Sequence, residues 1–491
     1  MSDQRSRGWL FLLLIILAAA ALPTIGYFRD GRGSNGSQEN SELTAVELLR
    51  RMSVEEKVGQ VILSYFTGAE FASARELREL PLGGVILFDG AGNIESPSQV
   101  VALAEQIQQA ALDSGVIPLF IAVDQEGGAV ARLTEGVTVF PGNMALGAAG
   151  SEELAALSAA VIARELRILG INFNFAPVVD VNSNPDNPVI GVRSFGSDPW
   201  QVARLGRAMV APYRREKVIA TAKHFPGHGD TAIDSHYRLP LIPVGLSRLK
   251  ELELLPFRAM IAAGVPAVML AHILVPALTG SDELPASLSP QAVHYLREEI
   301  GFDGLVISDS LSMGAISDRW SLEEAVVTSF QAGVDLLLLG PWTGVAPGDR
   351  RRIFEALKGA VEEGTIPLEQ LDRSVERILA AKIEYGLFDD PGPYREKLSR
   401  LALPENLNIA RRIARESITL VRDSAAVIPL SSHGMIPLLW PAELKSALAP
   451  LIERSSFLQP HLLPLQASAA ELEEMIEPLR DAELILIGTY N

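Results

Sequence analysis

The chain predicts an α/β fold, a (β/α)8 barrel of the TIM type followed by a second α/β unit. Three observations carry this. Eight short apolar runs recur at even intervals between residues 58 and 339, stretches of helical periodicity separate them, and a breaker-rich connection then precedes a further set of apolar runs. Near-continuous Val/Ile/Leu runs suit parallel strands covered on both faces, and the helices supply the crossovers that parallel neighbours need. An open doubly wound sheet is the rival arrangement of the same elements.

Residues 1–28 come first. Arg5 and Arg7 precede an uncharged stretch from Trp9 to Leu22, with Ala19-Ala20-Ala21 as a small-residue cleavage site, which is the order of a signal peptide. Extended to Phe28, the apolar stretch reaches the length of a membrane anchor. Either reading predicts an extracytoplasmic protein, secreted or attached to the cytoplasmic membrane through this segment. Residues 29–43, rich in Gly, Ser and Asn, form a linker.

The barrel is assigned to residues 44–390 and opens with a helix over Thr44 to Met52. Its strands are expected at Val58 to Phe66, Gly84 to Phe88, Leu119 to Val123, Ile171 to Phe175, Val218 to His224, Ala267 to His272, Leu305 to Ser308 and Val334 to Leu339. Ser98 to Leu112 and Ser151 to Leu169 are clear helices between them. Asp389-Asp390-Pro391-Gly392-Pro393 leads out of the barrel into a linker over 391–401. The second unit, 402–491, offers a helix at Leu407 to Ser417 and apolar runs at Ile418 to Val421, Met435 to Trp440 and Leu484 to Ile487. So small a unit, ending just after an apolar strand, is expected to be incomplete.

Composition excludes several functions. With 48% apolar and 21% charged residues the chain can bury a large core. A formal charge of −18 opposes nucleic-acid binding, which needs clustered Lys and Arg. The absence of cysteine excludes disulfides, thiolate nucleophiles, cysteine zinc sites and a lipid on an N-terminal cysteine.

Barrel enzymes carry their reactive groups where strands end at the C-terminal face. Here the third run ends in Asp124-Gln125-Glu126-Gly127-Gly128, the fifth in Lys223-His224, the sixth in His272 and the seventh in Asp309. One such residue alone reads as a helix cap; their coincidence on strand after strand points to a site. The most informative stretch is Lys223-His224-Phe225-Pro226-Gly227-His228-Gly229-Asp230-Thr231, followed by Asp234-Ser235-His236. With Ile307-Ser308-Asp309-Ser310-Leu311-Ser312-Met313 and Val123 to Gly128, it resembles glycoside hydrolase family 3, in particular its β-N-acetylglucosaminidase subgroup. The resemblance runs from about Thr44 to the end of the chain. It implies a retaining, exo-acting hydrolase that removes terminal β-linked N-acetylglucosamine from cell-wall or chitin-derived saccharides, with carbohydrate as partner and no metal or organic cofactor. It also implies that the second unit is an α/β sandwich.

The residue types fit that chemistry. A retaining glycosidase needs a nucleophile on one side of the anomeric carbon and an acid at the leaving oxygen. Asp309, fixed at a strand end, suits the first task. His236 suits the second, because an ordinary imidazole pKa of about 6.5 favours proton transfer in both directions. Asp234, two positions earlier, orients the ring if the loop is extended. His228 and Glu126 compete for the acid role. Asp124, Arg193, Lys223 and His224 are expected to bind the sugar, Arg193 by its match to the family's pocket arginine in Gly191-Val192-Arg193-Ser194-Phe195; an Arg193–Asp124 ion pair is the structural alternative. His272 either lines the pocket or is a hydrogen-bonded strand-end residue. Asp124, Arg193, Lys223, His224 and Asp309 should meet at one barrel mouth, with His236 farther out on an open loop. A phosphorylase, another family 3 β-glycosidase and a non-catalytic sugar-binding protein are the alternatives.

Overall fold

The computed structural model describes residues 44–488 except 72–73, 342–348, 390–391, 425–427, 429–434, 465, 481 and 483. The N-terminal segment over 1–28 and the linker over 29–43 therefore lie outside the described residues. Among those described, no helix is long and apolar enough to cross a membrane.

Eight strands form one sheet: β1 Ile62–Tyr65, β2 Gly84–Ile86, β3 Phe120–Val123, β4 Phe173–Asn174, β5 Ile219–Phe225, β6 Ala267–Leu270, β7 Leu305–Ser308 and β8 Leu337–Leu339. They run in the order β8-β1-β2-β3-β4-β5-β6-β7, every neighbouring pair parallel, and a parallel bridge from Ile307 to Leu336 joins the two ends. Serines reinforce that seam. Ser308 Oγ accepts from Leu338 N–H at 3.0 Å and Ser310 Oγ from Gly340 N–H at 2.8 Å, while Ser312 Oγ donates to the Gly340 carbonyl at 3.1 Å.

Local chemistry sets the helices. Ser96 caps Pro97–Ser114, which carries proline in its first turn and ends at left-handed Gly115; Ser151 caps Glu152–Ile168, and Asp198 caps Pro199–Arg215. The first apolar run divides, because Ser53 and Glu56 form a capping box that starts the helix Val54–Gln60, leaving the strand only Ile62–Tyr65. Val58 is apolar because that helix buries its inner face. At the N-terminal end of the barrel the buried Lys382 Nζ donates to Gln60 Oε1 at 2.7 Å and the Gly83 carbonyl at 2.9 Å, 4.9 Å from the Phe120 ring centroid.

The large core continues past the barrel. Ala410 and Ile413 of the helix Pro404–Glu416, grouped by sequence with the second unit, are buried in it. Buried Glu165 explains the docking: it accepts from Thr138 N–H and Oγ1–H at 2.6 and 2.8 Å, from Ala402 N–H at 3.0 Å and from Asn406 Nδ2 at 3.1 Å. Beyond this helix, β9 Ile436–Pro441 lies between β10 Leu458–Leu463 and β11 Leu486–Ile487 in a parallel sheet. A separate small cluster of Ile436, Leu438, Leu448 and Leu458 underlies it. The run Ile418 to Val421 forms no strand, and Ile418, Leu420 and Val421 are exposed.

Candidate active site

The strands deliver their final residues to one mouth. Asp124 follows β3, Lys223 and His224 lie at the end of β5, and Asp309 follows β7. Arg193 comes from the 3-10 turn Gly191–Arg193 after β4, and Asp234 and His236 from the loop after β5. All seven line one cavity of about 280 Å3, with Glu126, His228 and Ser235. His236 is thus not displaced on an open loop but borders the same space as Asp309.

One wall is an ion cluster. Lys223 Nζ donates to Asp124 Oδ1 at 2.8 Å and contacts Glu126 Oε1 at 2.7 Å, while Arg193 Nε and Nη2 reach Glu126 Oε2 and Oε1 at 2.9 and 2.8 Å. The arginine's partner is therefore Glu126, and Asp124 pairs with the lysine, a different arrangement from the Arg193–Asp124 alternative. Burial alone would raise the Glu126 pKa. The Arg193 and Lys223 charges outweigh it and hold the carboxyl down at about 2. A carboxyl held ionised by two cations is a poor proton donor.

A buried carboxylate that sequence reasoning missed organises the next wall. Asp180 accepts from His224 N–H at 3.1 Å, from His224 Nδ1 at 2.7 Å and from His228 N–H at 2.7 Å. It fixes His224 as donor at Nδ1 and holds the turn to His228. Against burial, the His224 ring and these donors keep the Asp180 pKa lowered. A signal existed: Asp180 closes the apolar run Ala176-Pro177-Val178-Val179 just after β4, and Val178 bridges to Lys223. Gly229 makes the turn possible, since a Cβ there would sit 1.8 Å from the Val181 carbonyl oxygen.

His228 is buried, its Nδ1 2.8 Å from Thr231 Oγ1 and its Nε2 2.8 Å from Ser235 Oγ. Thr231 Oγ1 donates to the His228 carbonyl, so it accepts from Nδ1–H, and Ser235 donates to Nε2. Burial pushes the His228 pKa down to about 4, so the ring is neutral. It braces the loop.

Asp309 N–H donates to the Leu270 carbonyl at 3.0 Å, and Oδ1 accepts from Ser310 N–H at 2.7 Å. Burial opposes its charge, but the His272, His224 and His236 rings and the Ser310 amide bring its pKa to about 2. Asp234 Oδ1 accepts from both His236 N–H at 2.8 Å and Nδ1 at 2.6 Å, the i to i+2 contact that the spacing predicts. With Nδ1 turned to Asp234, the His236 ring borders the cavity that Asp309 also lines. His272 corrects the expectation of a sugar contact. It is fully buried outside the cavity lining, with Nδ1 2.7 Å from Ser287 Oγ and Nε2 2.8 Å from the Ser310 carbonyl. Its geometry fits a strand-end residue that steadies the backbone beside Asp309. Among the described residues no group of three or more His, Asp or Glu side chains is placed to hold a metal ion.

The sequence profile described as glycosyl hydrolase family 3 N terminal domain matches residues 53–381. Beta-hexosaminidase A of Pseudoalteromonas piscicida is 39% identical over 384 residues, covering 74% of this chain and 63% of that one, so the chain spans less than two thirds of this relative's length. Beta-hexosaminidase LpqI of Mycobacterium tuberculosis is 35% identical over 390 residues, 75% of this chain and 96% of the relative. Among solved structures, a glycoside hydrolase family 3 β-N-acetylglucosaminidase from Paenibacillus sp. superposes with a TM-score of 0.81 at 39% identity, over 90% of this chain and 85% of the other.

Proposed function

Because the chain belongs to glycosyl hydrolase family 3, we propose that it is a retaining, exo-acting β-N-acetylglucosaminidase that releases terminal β-linked N-acetylglucosamine from cell-wall or chitin-derived saccharides. The observation that carries the reading is the Asp234–His236 pair and the ionised Asp309 bordering one cavity of about 280 Å3. That volume lies just below the roughly 300 to 1,000 Å3 typical of ligand pockets, which suits one terminal sugar. The names of the β-hexosaminidase and β-N-acetylglucosaminidase relatives support the sugar class.

The mechanism follows from what each residue can do. Asp124, Lys223, His224 and Arg193 grip the sugar hydroxyls, since a fixed array of charged donors and acceptors suits them. Asp309 attacks the anomeric carbon as the bond to the leaving oxygen breaks, and His236 Nε2 gives that oxygen its proton. Asp234 keeps Nδ1 protonated and steadies the charged ring. A water then gives its proton back to Nε2 and attacks the anomeric carbon, breaking the ester to Asp309 and returning the carboxylate. The basic, apolar and small-residue order of residues 1–28 supports a place outside the cytoplasm, and mass spectrometry of the mature N-terminus separates a secreted chain from an anchored one.

Turnover of N,N′-diacetylchitobiose and of 2,4-dinitrophenyl β-N-acetylglucosaminide tests the reading. Asp309→Ala should abolish both. His236→Ala should lose about 10²- to 10⁴-fold on the disaccharide, the usual range for general acid–base catalysis, while the dinitrophenyl substrate gives a burst as glycosyl-enzyme accumulates. Undiminished hydrolysis of both substrates by His236→Ala would sink the dyad assignment. Free N-acetylglucosamine in phosphate buffer, without glycosyl phosphate, separates hydrolysis from phosphorolysis.

A further inference from the structure

The loop carrying Asp234 and His236 is stitched to the segment carrying Asp309. Gly314, five positions after Asp309, donates its N–H to the His236 carbonyl at 3.0 Å, and Ala315 donates its N–H to the Ser235 carbonyl at 3.2 Å. On its inner side the loop is held by Ser235 Oγ, 2.8 Å from His228 Nε2. Its outer residues Ile233 and Tyr237 are 41% and 73% exposed, so the seat lies along one edge.

Glycine at 314 is what permits this approach. A Cβ there would stand 2.7 Å from Tyr237 O, 2.8 Å from His236 O and 3.0 Å from the Tyr237 carbonyl carbon. All three are backbone atoms, so no rotamer change relieves the overlap. Gly314 begins the short helix Gly314–Ser317 with φ outside the left-handed region, so its own backbone would accept any L-residue. Loop contact, not local conformation, is the reason for a glycine.

We propose that Gly314 is a positioning residue for the acid/base step: the loop's seat on the Gly314 and Ala315 amides sets where His236 stands relative to Asp309. The inference rests on the dyad reading above. A methyl group at 314 should unseat the loop while leaving the strand-borne nucleophile and the sugar-gripping residues in place. Such an enzyme forms the glycosyl ester on Asp309 from an activated substrate but hydrolyses it slowly. Azide, which needs no base, then attacks the anomeric carbon, breaks the ester and frees Asp309 with release of glycosyl azide.

The experiment compares wild type, Gly314→Ala, His236→Ala and the double variant on the disaccharide and on the dinitrophenyl substrate, with and without azide. Gly314→Ala should lower kcat/KM for the disaccharide roughly ten- to hundred-fold, the range for loss of two backbone hydrogen bonds. It should keep its burst with the activated substrate and regain turnover with azide. Added to His236→Ala, it should cost nothing further, because a residue acting through His236 has nothing left to position. Wild-type rates in Gly314→Ala, or a penalty that persists undiminished in the double variant, would overturn the docking inference. Equal loss on both substrates without azide rescue would overturn it too. Should Gly314→Ala show no thermal unfolding transition, Ala315→Pro decides by the same criteria, since it deletes one amide donor in a first helical turn where proline is tolerated. His236→Ala with wild-type rates on both substrates overturns the dyad reading and the docking with it. Normal dyad behaviour beside an inert Gly314→Ala overturns the docking alone.

Discussion

Acidification should weaken the fold at His228 before it silences the nucleophile. Burial holds the His228 pKa at about 4, whereas an unfolded histidine titrates near 6.5. Between those values the unfolded chain binds a proton that the folded one refuses. The stability due to the neutral ring is complete above the unfolded value and drains away as pH falls toward the folded one. The two pKa values together predict a loss of about 2 kcal/mol between pH 7 and pH 5, rising to about 3 kcal/mol below pH 4. Urea unfolding followed by circular dichroism, at pH 7 and pH 5, measures it in wild type and in His228→Gln. The variant should be less stable at pH 7, having lost the fit to Thr231 and Ser235, yet should fall less on acidification. If both proteins lost the same stability between the two pH values, the buried neutral imidazole would not be the source.

Asp309 should contribute no acid limb of its own: the burst rate of His236→Ala with the dinitrophenyl substrate should stay flat from pH 7 to pH 5, because the His272 and His224 rings and the Ser310 amide still hold the carboxyl below its ordinary range. A half-titration within that window would contradict the assignment. Asp180→Asn should lower kcat/KM about 10- to 100-fold, chiefly through KM, as charge-assisted bonds to His224 and His228 are lost; an unchanged KM would refute its place in holding the sugar wall. Glu126→Gln should destabilise the protein by about 3 kcal/mol or more, since Arg193 and Lys223 would remain buried with their shared partner neutralised. Its activity loss should be independent of leaving group, whereas a steep dependence would restore Glu126 as the acid.

The barrel was legible because strands covered on both faces must be apolar throughout, and each of the eight runs holds a strand. The first run overreached at Val58, where a helix buries an apolar face and periodicity over so few residues cannot separate the two. In the second unit, β10 escaped notice because Leu458-Gln459-Pro460-His461-Leu462-Leu463 alternates poorly and contains proline, which an edge strand tolerates. Asp309, Asp234 and His236 stood out through their motifs. Asp180 did not, since only its place at the end of an apolar run marked it and no motif surrounds it; its importance lies in contacts made 44 and 48 residues later in the chain. Spacing likewise gave no means of telling which carboxylate Arg193 would choose.

The pairing of β8 with β1 has a consequence for synthesis. Leu337 lies opposite Ile62, so the ring cannot close until a partner made some 275 residues after the first strand has emerged. By then every residue assigned to the reaction has already been translated. Earlier in synthesis the nascent chain is an open sheet with an unpaired edge at β1, a template for wrong partners. A chain halted after Asp335 would hold all of its chemistry but not the closed ring, and the wall that turns a row of strand ends into a vessel leaves the ribosome only after the residues it surrounds.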